Sequence, residues 1–441
     1  MLAGAAKTDI TPTSPVYMDG MIRAHRSLGV HDRLYARCLV LANESSAQVF
    51  AIISVDVCAL DEQTCAAARQ RISTQAGIAT QNVIVAATHT HSGPATYGFF
   101  NPREDEYNGW LVEQLAALAK DAVHSMRPAM LGCGSGREES ISHYRRLLSD
   151  DGRVIMNWEA IEPQRLRGPL GVADPEVGVL RVTPINEPAA TIAILFNHSG
   201  HPDVMSGDNY LLSPDYPGCA ERLLEQEFGG IAIFVNGAQG SVDVDGLRDR
   251  DWRGVERLGS ALARAVAGVA RQIALSSAGC IRGRSQVYTV PGRQITAEEW
   301  LWAQQVLKRT GGALMPLPDG VGDDYLAVLY KSLREEQGRD LAVEQVCLAI
   351  GDCAFLSFPG ELYTEIGMAI KAASPFRHTY IIGLANGYIG YVPTRKAISE
   401  GGYAEDTRRV DAASEQIVFE RSLALLQSVY SEVHMEGGNH E

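Results

Sequence analysis

Two histidines spaced two residues apart close the apolar run Val83–Pro94, VIVAATHTHSGP, and they are the side chains here best suited to chemistry. Five of the first six residues are Val, Ile or Ala, which predicts a buried strand ended by Ser92-Gly93-Pro94. In an extended chain alternate residues share a face, so the imidazoles of His89 and His91 can reach one point at the strand's exit. Imidazole is a common zinc ligand, and strand ends are where α/β sheets place ligands. A loop-capping ring beside an exposed one would give the same pair, so further ligands decide between the two readings.

Similar exits recur along the chain. TIAILF runs into NHSGHPDVMSGDNYLLSPDYPG, which carries His198, His201, Asp203, Asp208 and Asp215. IAIFV empties into NGAQGSVDVDG, VCLAIGDCAFLSF ends in Pro359-Gly360-Glu361, and TYIIGLANGYIGYVPT places Tyr388 and Tyr391 after its apolar part. If these strands share a sheet and point one way, their polar loops converge. Catalytic zinc takes three protein ligands and leaves a position for water, and His89, His201 and Glu361 supply two imidazoles and a carboxylate. Such a metal lowers the pKa of its water toward about 7 and polarises a carbonyl. The carboxylates Asp203, Asp208, Asp215 and Asp243 keep a second reading open, a phosphoesterase or lyase with two metals about 3.5–4 Å apart.

The elements that must hold these residues follow from periodicity. YARCLVLA and VFAIISVDV read as a hairpin across ANESSAQ, with Asp56 at its end expected to cap the next helix or, as the lesser alternative, to face the site. Helices are predicted at 62–75, 110–126, 219–228, 252–273, 296–310, 325–337 and 412–433, the last followed by a frayed tail. His124 is expected at a helix surface, and Arg145 and Arg146, before an Asp-Asp-Gly turn, read as a solvated pair. The mixed segment through Arg26 suits a loop covering a pocket, and residues 291–343 form a helical excursion that serves as a lid or a packing layer. The fold class is therefore α/β: mixed central sheet or sheets flanked by helices, with the metal site at the strand exits. We expect one catalytic domain over 1–441.

Composition narrows the function. The 441 residues carry 39 basic and 53 acidic side chains, a formal net charge of −14, which disfavours nucleic acid or an anionic membrane as main partner. No apolar run approaches the ~18 residues a membrane span needs, and MLAGAAKTDITP has no secretory pattern. The eight cysteines lack CxxC spacing and read as buried thiols of a reducing compartment, so a cytoplasmic protein is expected, with a homo-oligomer open on base rates alone.

Taken in order, GVHDRLYAR, SVDV, ATHTHSGP, HPDVMSGDN, NGAQGSV, FPGELYTEIG and NGYIGYVPT resemble the catalytic N-terminal domain of the neutral/alkaline non-lysosomal ceramidases. The resemblance covers nearly the whole chain, and ATHTHSGP and PGE are its most specific parts. It implies one zinc ion held by His89, His201, Glu361 and Tyr391, with His91 beside the scissile carbonyl and Arg145 on a substrate oxygen. It also implies an imidazole and a guanidinium placed to stabilise an oxyanion. The family's G-D-V-S-P segment is Gly240-Ser241-Val242-Asp243-Val244 here, so Asp243 takes the place of the active-site serine and Ser241 that of the aspartate. Attack by metal-bound water needs neither as nucleophile. Lacking a signal peptide and the family's C-terminal immunoglobulin-like domain, the chain looks like a short intracellular relative. The expected activity is zinc-dependent cleavage of a C–N amide in a small-molecule N-acyl amine; an ester or lactone would suit the same centre, and a non-catalytic binder is the remaining reading.

Overall fold

The computed structural model describes residues 1–44, 48–245, 248–277 and 280–437. Its larger sheet has eight strands in the order Ile231–Asn236, Ala193–His198, Glu176–Pro184, Arg127–Arg137, Leu2–Asp9, Tyr35–Ala42, Val49–Val55 and Val83–Ala87. Its pairings are antiparallel except at its two ends, where Ala193–His198 runs parallel to Ile231–Asn236 and Val49–Val55 parallel to Val83–Ala87. A second, four-stranded sheet has the order Ile281–Val290, Leu341–Ile350, Cys353–Ser357 and His378–Ile382, with its last pair parallel. The mixed α/β class expected from the sequence is the one observed.

The two sheets stack face to face, because each alternates apolar residues toward the other. Leu39, Ile52, Ile84, Leu180 and Ile233 from the first meet Val346, Leu348, Phe355 and Ile382 from the second in one buried cluster. Helices cover the outer faces. Glu62–Ala76 and Asp105–His124 pack on one half of the large sheet, Asp215–Phe228 and Trp252–Gln272 on the other, and Ser414–Gly437 on the small sheet. Strands buried on both sides read as continuous apolar runs, which is why their positions were legible.

The large sheet curls until its two parallel ends meet, and Ser54 Oγ of one end donates to Phe234 O of the other at 2.5 Å. Arg37 reinforces this closure beneath the surface, pairing with Asp56 at 3.1 Å and Glu221 at 2.8 Å with all three buried. Asp56 therefore does not cap the next helix: its carboxylate accepts from Tyr35 N and Arg37, and Asp61 caps Glu62–Ala76 instead. The solvated reading of Arg145 and Arg146 is likewise corrected, since both are 1% exposed. Arg146 is neutralised by Glu405 at 3.1 Å and Glu400 at 3.0 Å, partners far along the chain that no local turn could reveal.

The helix predicted from Trp110 begins at Asp105, its first turn being polar and carrying the Asp105 and Glu106 that suit a helix N-terminus. Within 291–343 lie two helices, Ala297–Thr310 with a Thr296/Glu299 capping box and Asp323–Glu335, packed on each other. Part of ANESSAQ and most of the C-terminal tail fall outside the described residues. Among the described residues no helix is long and apolar enough to cross a membrane.

Candidate metal centre and substrate chambers

Three parallel strand pairs deliver their carboxyl ends to one place. Asn236, at the end of Ile231–Asn236, ties the exits together by donating through Nδ2 to Thr88 O at 3.2 Å and Gly200 O at 2.8 Å. Gly383 N donates to Asn236 O, so the exit of the small sheet joins the same knot. A two-residue parallel ladder pairs Glu361 with Tyr391, setting those side chains beside each other. The site is thus positioned by backbone groups of both sheets rather than by any one loop.

At the centre, His89 Nε2 lies 3.1 Å from His201 Nε2, 3.3 Å from His91 Nε2 and 3.5 Å from Glu361 Oε2, with His201 Nε2 4.0 Å from that oxygen. Ligand atoms about 2.0–2.1 Å from a tetrahedral ion stand about 3.3–3.4 Å from each other, the scale seen here. His89 Nδ1 lies 2.8 Å from Cys58 O. A carbonyl only accepts, so Nδ1 carries the proton and Nε2 turns its lone pair to the centre. Burial pushes the pKa of His201 and His91 well below the usual histidine value, and each is lowered further by the neighbouring His89, which keeps them neutral as ligands require. Glu361 Oε1 accepts from Tyr388 at 2.6 Å while Oε2, fully buried, has no hydrogen-bond donor. An orphaned buried carboxylate oxygen facing two imidazole lone pairs fits a divalent cation. Cys58 forms a second cluster with His89 and His91, but its Sγ lies 3.6 Å from Nδ1, the nitrogen already donating, and burial raises its thiol pKa well above normal.

His89 holds a left-handed backbone at φ 75°, and Leu384 and Asn386 beside it do likewise at 54° and 62°. Such conformations cost on the order of 1–3 kcal/mol each and concentrate at functional sites. Gly20 packs directly on the His91 ring, where an added Cβ would come within 2.4 Å of its Cγ. The segment before Arg26 does cover the site. Asp19 accepts from the backbone N–H groups of Tyr97, Gly98 and Phe99, and Arg23 donates to His91 O at 2.8 Å.

Arg145 is anchored by Nη2 donating to Gly240 O at 2.7 Å and stands over the rings of Tyr391 at 4.8 Å and Tyr403 at 5.3 Å. Burial and then Glu361 push the Tyr391 phenol well above its normal pKa, with Arg145 opposing. Ser241, by contrast, faces away: its Oγ accepts from Thr364 N at 2.9 Å and lies 3.0 Å from both Thr364 Oγ1 and Glu365 Oε2, at the start of helix Thr364–Ala373. Asp243 lines a chamber of about 20 Å3 together with His91, His201, Arg145, Asp203 and Asp319. Burial and then Asp203 raise its carboxyl pKa well above normal.

Among the described residues, none of the four carboxylates kept open for a second metal joins a close cluster of three metal-ligating residues, although Asp203, Asp215 and Asp243 each keep one buried oxygen without a hydrogen-bond partner. Arg250 stands 3.5 Å from Asp203 and 3.7 Å from Asp243 and pairs with Asp319, so a guanidinium holds that position. Asp208 is exposed, and Asp215 is buried beneath helix Asp215–Phe228 with its Oδ1 on Tyr216 N. Sequence reasoning missed Asp319, Arg250, Asp19 and the role of Tyr388. Only Tyr388 carried a signal, its place just past a core strand.

A larger cavity of about 330 Å3 opens on the other side of His91 and Tyr391 and is also bordered by His89 and Glu361. Its far wall is aromatic and aliphatic, and much of it comes from helix Asp323–Glu335.

A family model described as neutral/alkaline non-lysosomal ceramidase, N-terminal, matches residues 1–242, more than half of the 441. A neutral ceramidase of Pseudomonas aeruginosa is 25% identical over 496 residues, covering 96% of this chain and 72% of that protein. A crystal structure of neutral ceramidase from Pseudomonas aeruginosa matches with a TM-score of 0.72 at 21% identity, over 97% of this chain and 75% of that one. A ceramidase complexed with C2 matches with a TM-score of 0.75 at 19% identity, over 98% and 75% of the two chains. At these identities the structural matches establish a shared fold.

Proposed function

Because the chain belongs to the neutral/alkaline non-lysosomal ceramidase family, we propose that it is a zinc-dependent amidohydrolase acting on N-acyl amines, the class of bond that its relatives' name implies. The observation that carries this reading is the approach of His89, His201 and Glu361 to within 3.1–4.0 Å of one another, with Glu361 Oε2 lacking any donor. His89, His201 and Glu361 would hold the ion, with Tyr391 at the edge of the set beside Glu361. A bound Zn2+ supplies a Lewis acid for the carbonyl and lowers the pKa of water toward about 7.

The chain's own groups do the rest. Neutral His91 borders both chambers and stands where it can donate to a carbonyl oxygen as charge develops. Arg145, permanently charged and held by Gly240 O and two aromatic rings, is preorganised for the same oxygen. Asp243, standing at the family serine's position with its carboxyl pKa raised by burial and then by Asp203 against the opposing Arg250, is the acid within the small chamber for the leaving nitrogen. Ser241 is occupied at a helix start and has no part in the chemistry.

The test is elemental analysis of wild type and His89→Ala/His201→Ala, run beside hydrolysis of a panel of N-acyl amines. About one zinc per chain, lost in the double variant together with amide cleavage, is the expected result. A metal-free protein with undiminished hydrolysis would refute the proposal, and two metals per chain would return the phosphoesterase reading.

A further inference from the structure

Arg145 is held by more than its own side-chain bond. It follows the short strand His143–Tyr144, which pairs antiparallel with Val242–Asp243, and its N–H donates to Ser241 O at 3.0 Å. The opposite strand is preceded by Gly240, whose N–H donates to Leu362 O at 2.8 Å, the residue after Glu361. An added Cβ at Gly240 would come within 2.5 Å of Glu361 O, so these segments meet backbone to backbone. The Arg145 guanidinium, the Asp243 carboxyl and Glu361 are therefore placed relative to one another through this junction.

A ladder this short has little to hold it on its own. What pins it is Glu365, a half-buried carboxylate in the first turn of helix Thr364–Ala373. Its Oε1 accepts from the Tyr144 hydroxyl at 2.5 Å and its Oε2 from Ser241 Oγ at 3.0 Å, one oxygen for each side of the ladder. Hydrogen bonds to an ionised carboxylate are about twice as strong as neutral ones. Gly171 closes over the contact, where an added Cβ would come within 2.4 Å of Tyr144 Cζ and 2.6 Å of Glu365 Oε1. Glu365 itself stands outside the lining of both chambers.

We infer that Glu365 is a positioning residue: by clamping Tyr144 to Ser241 it holds Arg145 where its guanidinium can meet the carbonyl oxygen. That task of Arg145 rests on the amidohydrolase reading, so the test includes a readout without turnover. Tyr144→Phe and Glu365→Ala each break the clamp, and each is made in wild type and in an Arg145→Ala background. Misplacing a reacting contact by about 1 Å costs on the order of 100-fold, and losing an oxyanion donor costs on the order of 100–1,000-fold. Glu365→Ala is expected to lower kcat for an N-acyl amine roughly 10–100-fold with zinc content unchanged. Tyr144→Phe should cost less, and Glu365→Gln, which keeps the length and two polar atoms, should restore most of the rate. In the Arg145→Ala background neither change should lower kcat further, because the clamp then has nothing to position. Calorimetric titration of hexanoate, the carboxylate product of an N-hexanoyl amine, into the zinc-loaded chain should repeat the pattern. Losses that multiply in the Arg145→Ala background, a fall in zinc content that accounts for the lost rate, or full activity in Glu365→Ala would each overturn the inference. The hexanoate pattern in a protein that cleaves no amide would leave the clamp standing and remove the hydrolase. A protein that neither cleaves amides nor binds hexanoate would remove both.

Discussion

Removing one hydroxyl, in Tyr388→Phe, isolates the support that Glu361 receives from outside the set of ligating atoms. The bond to Glu361 Oε1 is 2.6 Å long and closed to water on the carboxylate side, where Glu361 is 1% exposed. A hydrogen bond to a charged group contributes about 1.5–3 kcal/mol. Loss of a group that orients a metal ligand typically lowers metal affinity about 10–100-fold, which at 1.36 kcal/mol per tenfold is about 1.4–2.7 kcal/mol. The two ranges coincide, so nearly the whole bond should appear as lost zinc affinity. Phenylalanine keeps the ring contacts with Tyr97 at 5.0 Å and Phe99 at 4.9 Å, so the cavity wall stays intact. Zinc affinity is measured by competition with a chromogenic chelator, with Tyr97→Phe as control because its hydroxyl partners Arg409 rather than Glu361. If the two variants bind zinc equally, metal binding does not depend on the bond from Tyr388 to Glu361 Oε1, and the reasoning fails.

Ser241→Ala should cost about 1 kcal/mol of stability, as removal of a helix-capping hydroxyl does, and leave turnover within tenfold; a thousandfold loss in a folded variant would restore it as a nucleophile. Asp215 predicts a pH dependence: burial raises its carboxyl to about 7 from 3.8, with Asp203 adding and Arg250 and the N–H groups of Tyr216 and Met205 opposing. The folded chain then binds a proton that the unfolded chain has lost, so stability declines as pH rises from about 4 to 7, by an amount on the order of 4 kcal/mol, and levels off above. Asp215→Asn, which keeps a residue type tolerant of the observed φ of 60°, should flatten that slope in denaturant melts at pH 5 and pH 8. An unchanged slope would show that Asp215 is ionised throughout.

The strands carrying His89, His201 and Glu361 were legible because layers on both faces made them continuous apolar runs, and the alternation rule placed His89 and His91 on one side. His91 indeed lies 3.3 Å from His89, though His89 reaches the centre through a left-handed backbone rather than a plain extended one. What periodicity could not supply was distance across the chain. His89 and His201 are 112 residues apart in sequence and 3.1 Å apart in space, and only the curl of the sheet joins them. Arg145 and Arg146 were misread for the same reason: their partners Gly240, Glu400 and Glu405 lie far along the chain. Asp56 was misread because a carboxylate after a strand suits a helix cap and a buried ion pair equally well, and only Arg37 across the hairpin decides.

The loop that brings Tyr388 and Tyr391 to the centre begins by lying along the outer edge of Val83–Ala87, the last strand of the large sheet. Asn386 N donates to Val85 O, its side chain accepts from Val85 N and donates to Val83 O, and Leu384 O takes the Ala87 N–H. One asparagine thus imitates a neighbouring strand. Uncovered edges recruit strands from other molecules, and the segment that completes the site is also the one that covers this edge. Asn386 therefore shields an edge as well as shaping the site, and a chain with this loop loosened is expected to aggregate through its most apolar strand before it loses its helices.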